Sequence, residues 1–421
     1  MTDKRLNVWW DGQVVGQFTQ DRHGDIAFVY APSWLDDDAP RPLSASLPLR
    51  AAPFSRRECR PFFGGLLPEE EQRTAAAQAL GVSPANDFAL LDRLGGDVAG
   101  ALQLLPPGEE PAEPAVSASR QPEPLDEEGI LRVLDALPVR PLLAGQDGLR
   151  LSLAGAQSKV PVVVVDGQVA LPLPGRATTH ILKPPIARFR GTAENEAFVM
   201  RLAATAGLDV APVELRSAQR RPFLLVGRYD RRRDTSGIVH RLHQEDFCQA
   251  LGVPPETKYA SEGGPTFKDC FDLIRRVSAR PAVDVLKLLD AAIFNLIAGN
   301  ADAHGKNVSI LYGEDGPRLA PLYDLLSTIA YPELSPGMAM RFGKTATLQD
   351  MDAEGWKSFA KEAGVGWPLV RRRVGELGAE IIARAESVAE DLNCPNPEDS
   401  RIGALIRLVT DRAEAAHRSL G

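Results

Sequence analysis

In the stretch IAGNADAHGKNVSILY, from Ile297 to Tyr312, Asp302, His304, Lys306 and Asn307 fall within six positions. Asp302 offers a carboxylate that can accept a hydroxyl proton. Asn307, five residues on, offers a hard amide oxygen for a divalent cation. This is the D-x-x-x-x-N spacing of a loop that transfers phosphoryl groups. Asp324, in RLAPLYDLLST, follows a short apolar run that reads as a strand and supplies a second oxygen ligand. Such donors suit Mg²⁺, which keeps several waters and takes substrate phosphates as its other ligands. The chemistry that needs all three residues is phosphoryl transfer from ATP: the triphosphate is held, its charge is neutralised by metal, and a nucleophile is oriented.

Other residues fit the same task. Lys183, near the end of the strand in THILKPP, suits the α- and β-phosphates, and Glu194 or Glu196 in the following helix ENEAFVMRLA could pair with it. The alternative is an exposed strand-end lysine and two acids favoured by a helix dipole. The turn in LSLAGAQSKV, Ala154 to Lys159, could wrap phosphates with backbone N–H groups, or be a plain hairpin. Ser152 beside it reads as a strand serine. FLLVGRYDRR has the character of a hinge whose backbone at Gly227, Arg228 and Tyr229 could bond adenine. His304 makes the motif D-x-H-x-x-N, which suits aminoglycoside phosphotransferases and lipid kinases; it would touch a phosphate or brace the loop. Lys306 would touch the γ-phosphate or be solvated. The loop KYASEGGPTF (Lys258 to Phe267) either approaches substrate or is an ordinary loop, and the arginine runs 231–233 and 371–373 read as solvated faces.

These residues need a scaffold. The chain has 421 residues, enough for two or three domains, with 25% charged and 44% hydrophobic residues. A net charge of −8 argues against a large nucleic-acid footprint on this chain alone. No apolar run approaches a membrane span, the N-terminus lacks a signal-peptide core, and Cys59, Cys248, Cys270 and Cys394 form no CxxC pair. A cytoplasmic protein with reduced thiols and no membrane contact is expected. Residues 6–30 read as strands, with a hairpin turn at Asp11-Gly12. Pro68 and the acids after it open a helix closed by Gly81, and Ser83 with Pro84 opens the next. LRLSLAGAQSKVPVVVV, DGQVALPL and THILKPP read as three strands. From HQEDFCQALG onward the chain is mostly helical. The expected fold is α+β, bilobal and protein-kinase-like, with a small N-terminal α/β subdomain and a helical C-terminal lobe. The expected bounds are 1–105 for the N-terminal unit, 106–128 for a linker, 129–229 for a β-rich lobe and 230–421 for the helical lobe.

The chain resembles the HipA-like serine/threonine kinases, the toxins of type II toxin–antitoxin modules. The resemblance runs through LPLRAAPFSRRECRPFFGGLLPEEEQR, DVAGALQLLP, SLAGAQSK, THILKPP, ENEAFVMRLA, KYASEGGPTF, NADAHGKN and LAPLYDLLS, nearly the whole chain. It implies that Asp302 is the catalytic base, that Asn307 and Asp324 are the magnesium ligands and that Lys183 is the ATP lysine. It also implies that Ala154, Gly155, Ala156, Gln157, Ser158 and Lys159 form the phosphate-covering loop. Further nucleotide contacts are implied at Gly227, Arg228, Tyr229, His304, Gly305, Lys306, Asn307, Tyr323 and Asp324. Ser152 matches the serine that the family autophosphorylates to expel the loop and switch the kinase off. The implied partners are a small helix-turn-helix antitoxin, operator DNA reached mainly through it, and a protein substrate in translation such as an aminoacyl-tRNA synthetase. Gly227 and Tyr229 depart from an acidic residue and a Phe common in the hinge, which puts the geometry of adenine bonding in question. Ser158 replaces a common acidic residue and adds a second hydroxyl beside the phosphosite. The competing readings are a small-molecule phosphotransferase, against which the long N-terminal unit counts, and a non-catalytic antitoxin-binding co-repressor, against which the intact Asp302, Asn307, Asp324 and Lys183 set counts.

Overall fold

The computed structural model describes residues 3–112, 122–146, 148–392, 394 and 401–421. The chain divides into two compact units, Met1–Lys183 with Arg228–Pro255, and Pro184–Gly227 with Glu256–Gly421. Elements are numbered along the chain.

In the first unit, β1 (Lys4–Trp10), β2 (Gln13–Gln20) and β3 (Ile26–Tyr30) form an antiparallel meander, and β4 (Gln103–Leu105) pairs with β1. Alternation puts Leu6, Val8 and Trp10 on the buried face. Asp11 and Gly12 have φ of 50° and 75°, the two positive values that a two-residue hairpin turn requires. After the short α1 (Pro32–Leu35), α2 (Arg56–Gly65) opens with a capping box between Ser55 and Glu58. It buries Phe62 and Phe63, and Phe63 stacks on Phe18 at 4.3 Å. Each such ring contributes about 2 kcal/mol by leaving water. The helix expected after Pro68 is α3 (Glu70–Leu80), closed by Gly81 at φ 67°. The next, α4 (Asp87–Leu94), is capped by Asn86, whose side chain accepts from the Ala89 N–H, and not by Ser83. Ser83 instead starts a turn, its carbonyl accepting from the Asn86 N–H.

Part of the expected linker, residues 113–121, lies outside the described residues; α5 begins inside its expected bounds and spans Glu127–Ala136. Strands β5 (Val160–Val165), β6 (Gln168–Ala170) and β7 (His180–Lys183) follow, with β5 between the other two. The strand expected at LRLSLAG is absent. Its backbone is committed elsewhere: Leu151 makes an isolated bridge to Asp97, and the Ser152 N–H donates to the Asp97 carbonyl at 3.0 Å. The unit closes with the hairpin β10 (Arg231–Arg233) and β11 (Val239–Arg241), then β12 (His243–Asp246) and α7 (Phe247–Leu251).

In the second unit, α6 (Thr192–Thr205) precedes the hairpin β8 (Val213–Ala218) and β9 (Arg221–Gly227). Then come α8 (Phe267–Val277), α9 (Pro281–Ala298), the hairpin β13 (Ser309–Gly313) and β14 (Gly316–Leu319), the pair β15 (Gly337–Phe342) and β16 (Thr345–Thr347), and α10 (Ala353–Glu362), α11 (Trp367–Glu390) and α12 (Ile402–Arg418). Helix α11 packs on α12, α6 and α9, and residues 184–227 group with this unit. Phe267, Phe342, Trp356 and Phe359 form an aromatic cluster beneath the α8 and α10 helices.

Candidate active site

The residues singled out by the sequence fall in both units, and each half has its own geometry.

In the second unit the site starts where α9 ends. Gly299 terminates the helix in the left-handed conformation, φ 77°, and the chain turns into the loop at once. Arg412 of α12 donates from Nε to the carbonyls of Leu296 and Ile297, each at 3.1 Å, so a half-buried cation covers the negative end of α9. The Asn300 side chain accepts from the Asp302 N–H at 3.1 Å and donates to Asn295 at 2.8 Å. Asp302 itself is exposed. Its Oδ1 accepts from Tyr259 Oη at 3.1 Å. The Gly305–Asn307 turn follows, and Asn307 Nδ2 donates to Asp324 Oδ2 at 2.8 Å. His304 and Lys306 are both buried, so Lys306 is not the solvated residue that one reading of the sequence expects. Tyr323 Oη donates to the Lys306 carbonyl at 2.6 Å, fixing the loop from below. Asp324 is not at a strand end: β14 stops at Leu319, and only an isolated bridge at Leu322 precedes it. Its φ of 59° is a conformation that Asp tolerates better than most residues and that strains the backbone by about 1–3 kcal/mol at functional sites.

This half fits a magnesium ion. Asn307 and Asp324 are near enough to share one ion, and both offer hard oxygens. Among the described residues no group of three or more His, Cys, Asp and Glu could hold a metal, so an ion here would draw its remaining ligands from phosphates and water.

In the first unit, Lys183 ends β7 and is buried, not an exposed strand-end lysine. Glu194 and Glu196, on α6 of the other unit, are also buried, so α6 does not begin as a solvated face. The segment Ala154–Lys159 is an irregular loop rather than a hairpin. Gly155 has φ 112°, and a Cβ there would lie 2.5 Å from Lys159 Nζ, which donates to the Ala154 carbonyl at 2.7 Å. The loop is docked on the turn between α2 and α3. The Glu69 N–H donates to the Gly155 carbonyl at 3.2 Å, and Ser158 Oγ donates to Gln72 at 3.1 Å. Ser152 is fully buried, its Oγ donating to the Leu66 carbonyl at 2.7 Å.

The hinge is where the structure departs most from the sequence reading. Arg228 spends its side chain on a buried ion cluster: it donates to both oxygens of Asp230, to Thr178 Oγ1 at 2.9 Å and to the Val98 carbonyl at 2.8 Å. Its N–H donates to the Thr179 carbonyl at 2.9 Å. That leaves the Arg228 carbonyl, not its side chain, as a group for a nucleotide. Asp97 joins the cluster through Arg231 and Arg241, both at 2.9 Å. Burial alone would raise the Asp97 pKa; the guanidiniums of Arg231, Arg241 and Arg228 outweigh it and hold the carboxyl well below the usual range. Arg231 is therefore no part of a solvated run, although Arg232 and Arg233 are exposed. Tyr229 Oη donates to Gln244.

Sequence reasoning missed Tyr259, Asn300, Thr328 and Arg412 as site-shaping residues. Tyr259 lay in a loop flagged for substrate approach, but nothing local marks a tyrosine as the partner of an aspartate 43 residues away.

An exposed aspartate on a braced loop, beside a hydrogen-bonded Asn–Asp pair, is an arrangement that phosphoryl transfer could use. Comparison with known proteins gives the family. The chain matches the HipA N-terminal domain over residues 6–105 and the HipA-like C-terminal domain over residues 151–389. It is 72% identical to the putative kinase Y4mE of Sinorhizobium fredii over 100% of both chains. It is 30% identical to the serine/threonine-protein kinase toxin HipA of Shewanella oneidensis over 90% of this chain and 89% of the relative. HipA in the solved complex of Shewanella oneidensis HipA, HipB and operator DNA superposes with a TM-score of 0.83 at 26% identity, over 99% of each chain. The chain belongs to the HipA-like kinase toxin family, and its fold is the α+β, kinase-like fold of that family. Among the described residues no helix is long and apolar enough to cross a membrane.

Proposed function

We propose that this chain is an ATP- and Mg²⁺-dependent serine/threonine protein kinase. It slows growth by phosphorylating a translation component such as an aminoacyl-tRNA synthetase, and it silences itself by phosphorylation of Ser152. The observation that carries the reading is the Asn307–Asp324 pair at 2.8 Å beside the exposed, Tyr259-braced Asp302. In this reading Asp302 takes the proton of the substrate hydroxyl. Asn307 and Asp324 hold the ion, which supplies charge neutralisation at the phosphates. Lys183, the loop Ala154–Lys159, the main chain of Gly227 to Tyr229 and the turn from His304 to Asn307 hold the nucleotide. Segments 1–105, 129–229 and 230–421 then serve as the HipA-type subdomain, the nucleotide-binding lobe and the catalytic lobe.

The burial of Ser152 supports the self-silencing step. Its hydroxyl donates to a carbonyl in a fully buried place. A phosphate there would carry up to two negative charges, accept where the hydroxyl now donates, and face the Leu66 carbonyl. The docked loop cannot hold that group, so phosphorylation requires it to leave.

The partners we propose are a small helix-turn-helix antitoxin of the HipB kind and, through it, operator DNA, as in the Shewanella oneidensis complex. The kinase reading is tested by the intact mass of the purified protein after incubation with Mg²⁺-ATP, with Asp302→Ala as control. One added phosphate mapped to Ser152 and lost in the variant supports it. An unphosphorylated starting protein that binds ATP and gains no phosphate defeats it.

A further inference from the structure

The residues after Asp324 enter a place that the reaction as described leaves unused. Ser327 and Thr328, in DLLST, are buried and lie between the start of the catalytic loop and helix α6. Thr328 Oγ1 accepts from the Ala301 N–H at 2.8 Å and donates to the Gly299 carbonyl at 3.2 Å. The Ile329 N–H also donates to the Gly299 carbonyl, at 3.2 Å. On the far side the Ala301 carbonyl accepts from the Ala339 N–H at 2.8 Å, so the residue before Asp302 is held at both of its backbone groups. The approach is close: a Cβ on Gly299 would lie 2.6 Å from Ile329 Cδ1 and 3.0 Å from Ser327 Oγ. Toward α6, the fully buried Asn195 accepts from the Ser327 N–H at 2.8 Å and donates to the Ser327 carbonyl at 3.0 Å and to Tyr331 Oη at 3.2 Å. One amide side chain thus reads both backbone groups of Ser327, as a strand partner would.

We infer that Asn195 and Thr328 are positioning residues that lock three elements into one body: the loop carrying Asp302, the segment carrying Asp324 and the helix carrying Glu194 and Glu196. The contacts to Ala301, Gly299 and Ser327 are buried hydrogen bonds to main chain, so each fixes where a backbone runs rather than adding a group to the site. Loss of the Thr328 hydroxyl leaves the Ala301 N–H buried without its acceptor, and the loop relaxes to find another. Asp302 is one residue beyond Ala301, and Asp324 is three residues before Ser327. A small relaxation is therefore delivered to the base and to the metal ligand together, and a misplacement of about 1 Å costs roughly a hundredfold in rate. This inference deepens the kinase reading and rests on it.

The test compares Thr328→Val, which removes the hydroxyl at near-constant volume, with Thr328→Ser, which keeps it, and with Asn195→Asp, which keeps the acceptor and loses the donors. The expected result for Thr328→Val is a fall in initial autophosphorylation rate of about tenfold to a hundredfold. The Mg²⁺ concentration for half-maximal rate rises, the KM for ATP moves little, and amide hydrogen exchange quickens in both 299–307 and 325–331. Thr328→Ser restores rate and exchange to near wild type, and Asn195→Asp quickens exchange in 325–331 and in α6. Equal impairment of the Ser and Val variants overturns the inference, because the hydroxyl is then not the acting group. So does unchanged exchange in 299–307 for Thr328→Val. If wild type transfers no phosphate, the kinase reading fails by itself, and exchange still decides whether the lock exists, since it needs no turnover. If Thr328→Val does not fold, unchanged exchange in Asn195→Asp is enough to overturn the inference.

Discussion

Asp302 is served by three side chains that differ in what they do. Asn300 holds its N–H, Tyr259 donates to its carboxylate, and Thr328 holds the residue before it. Of these three, Tyr259 is the one that touches the carboxylate. Tyr259→Phe is therefore expected to lower the phosphorylation rate by about twofold to tenfold, the worth of one partly exposed hydrogen bond, with the KM for ATP unchanged. Steady-state rates at saturating Mg²⁺ check this. In the proposed reading, Asp324→Asn and Asn307→Ala act on the ion instead. Changes to groups that merely orient a metal ligand already cost about tenfold to a hundredfold in affinity. Either variant should raise the Mg²⁺ required for half-maximal rate by at least that much, which a magnesium titration at fixed ATP reads. Asp302 and Asn307 were marked as candidates by the D-x-x-x-x-N motif, because their spacing is local to one turn. Tyr259 was not, since its role exists only once two loops far apart in the chain meet.

At the scale of elements, the buried ion cluster and the β12 histidine govern the acid side of stability in the first unit. Asp97 joins three arginines, and its carboxyl titrates below the usual range. A depressed carboxylate stabilises the fold fully above its unfolded value of about 3.9, and that stabilisation is lost as pH falls below it. Removing one partner of such a cluster is worse than losing the pair: Asp97→Ala should destabilise by about 3–5 kcal/mol, because it leaves guanidiniums buried without their anion. Chemical denaturation at pH 7 measures it. His243 acts earlier in pH. Burial, against the Trp10 ring at 4.4 Å, lowers its pKa to about 4, and its Nε2–H donates to the Leu43 carbonyl at 2.7 Å. The unfolded chain binds a proton there below about pH 6.5, while the folded one does not until about pH 4. Stability should fall by roughly 3 kcal/mol across that window, and His243→Gln should flatten the slope there. Denaturation midpoints from pH 7 to pH 4 for both proteins decide it. The elements themselves were largely legible: the Asp11-Gly12 hairpin, α3 with its Gly81 end, and α9 follow from local turn and cap chemistry. The strand expected at LRLSLAG failed because its backbone pairs with Asp97 and its Ser152 hydroxyl with the Leu66 carbonyl, which no local pattern reveals.

At the scale of the molecule, a net charge of −8 disfavours direct binding of DNA by this chain and bears on the proposed operator partnership. The chain by itself should not retain operator-length duplex at physiological salt. Co-expressed with a small helix-turn-helix antitoxin, it should co-purify with it and shift the duplex; electrophoretic mobility with and without the antitoxin checks both statements. What the sequence determined by itself was the family: several family stretches, with Asp302, Asn307, Asp324 and Lys183 among them, run in one order along the chain. Residue identity at fixed spacing carries that information, because the reaction demands those functional groups. Only the tertiary structure decided which groups are already committed. It put Arg228 into an ion cluster, tied the Ala154–Lys159 loop to Glu69 and Gln72, buried Ser152 against Leu66, and set Thr328 and Asn195 around the catalytic loop. Apart from the Arg228–Asp230 pair, those commitments are hydrogen bonds between positions 27 to 132 residues apart, and the need to pair buried polar groups, not any local preference, selects them.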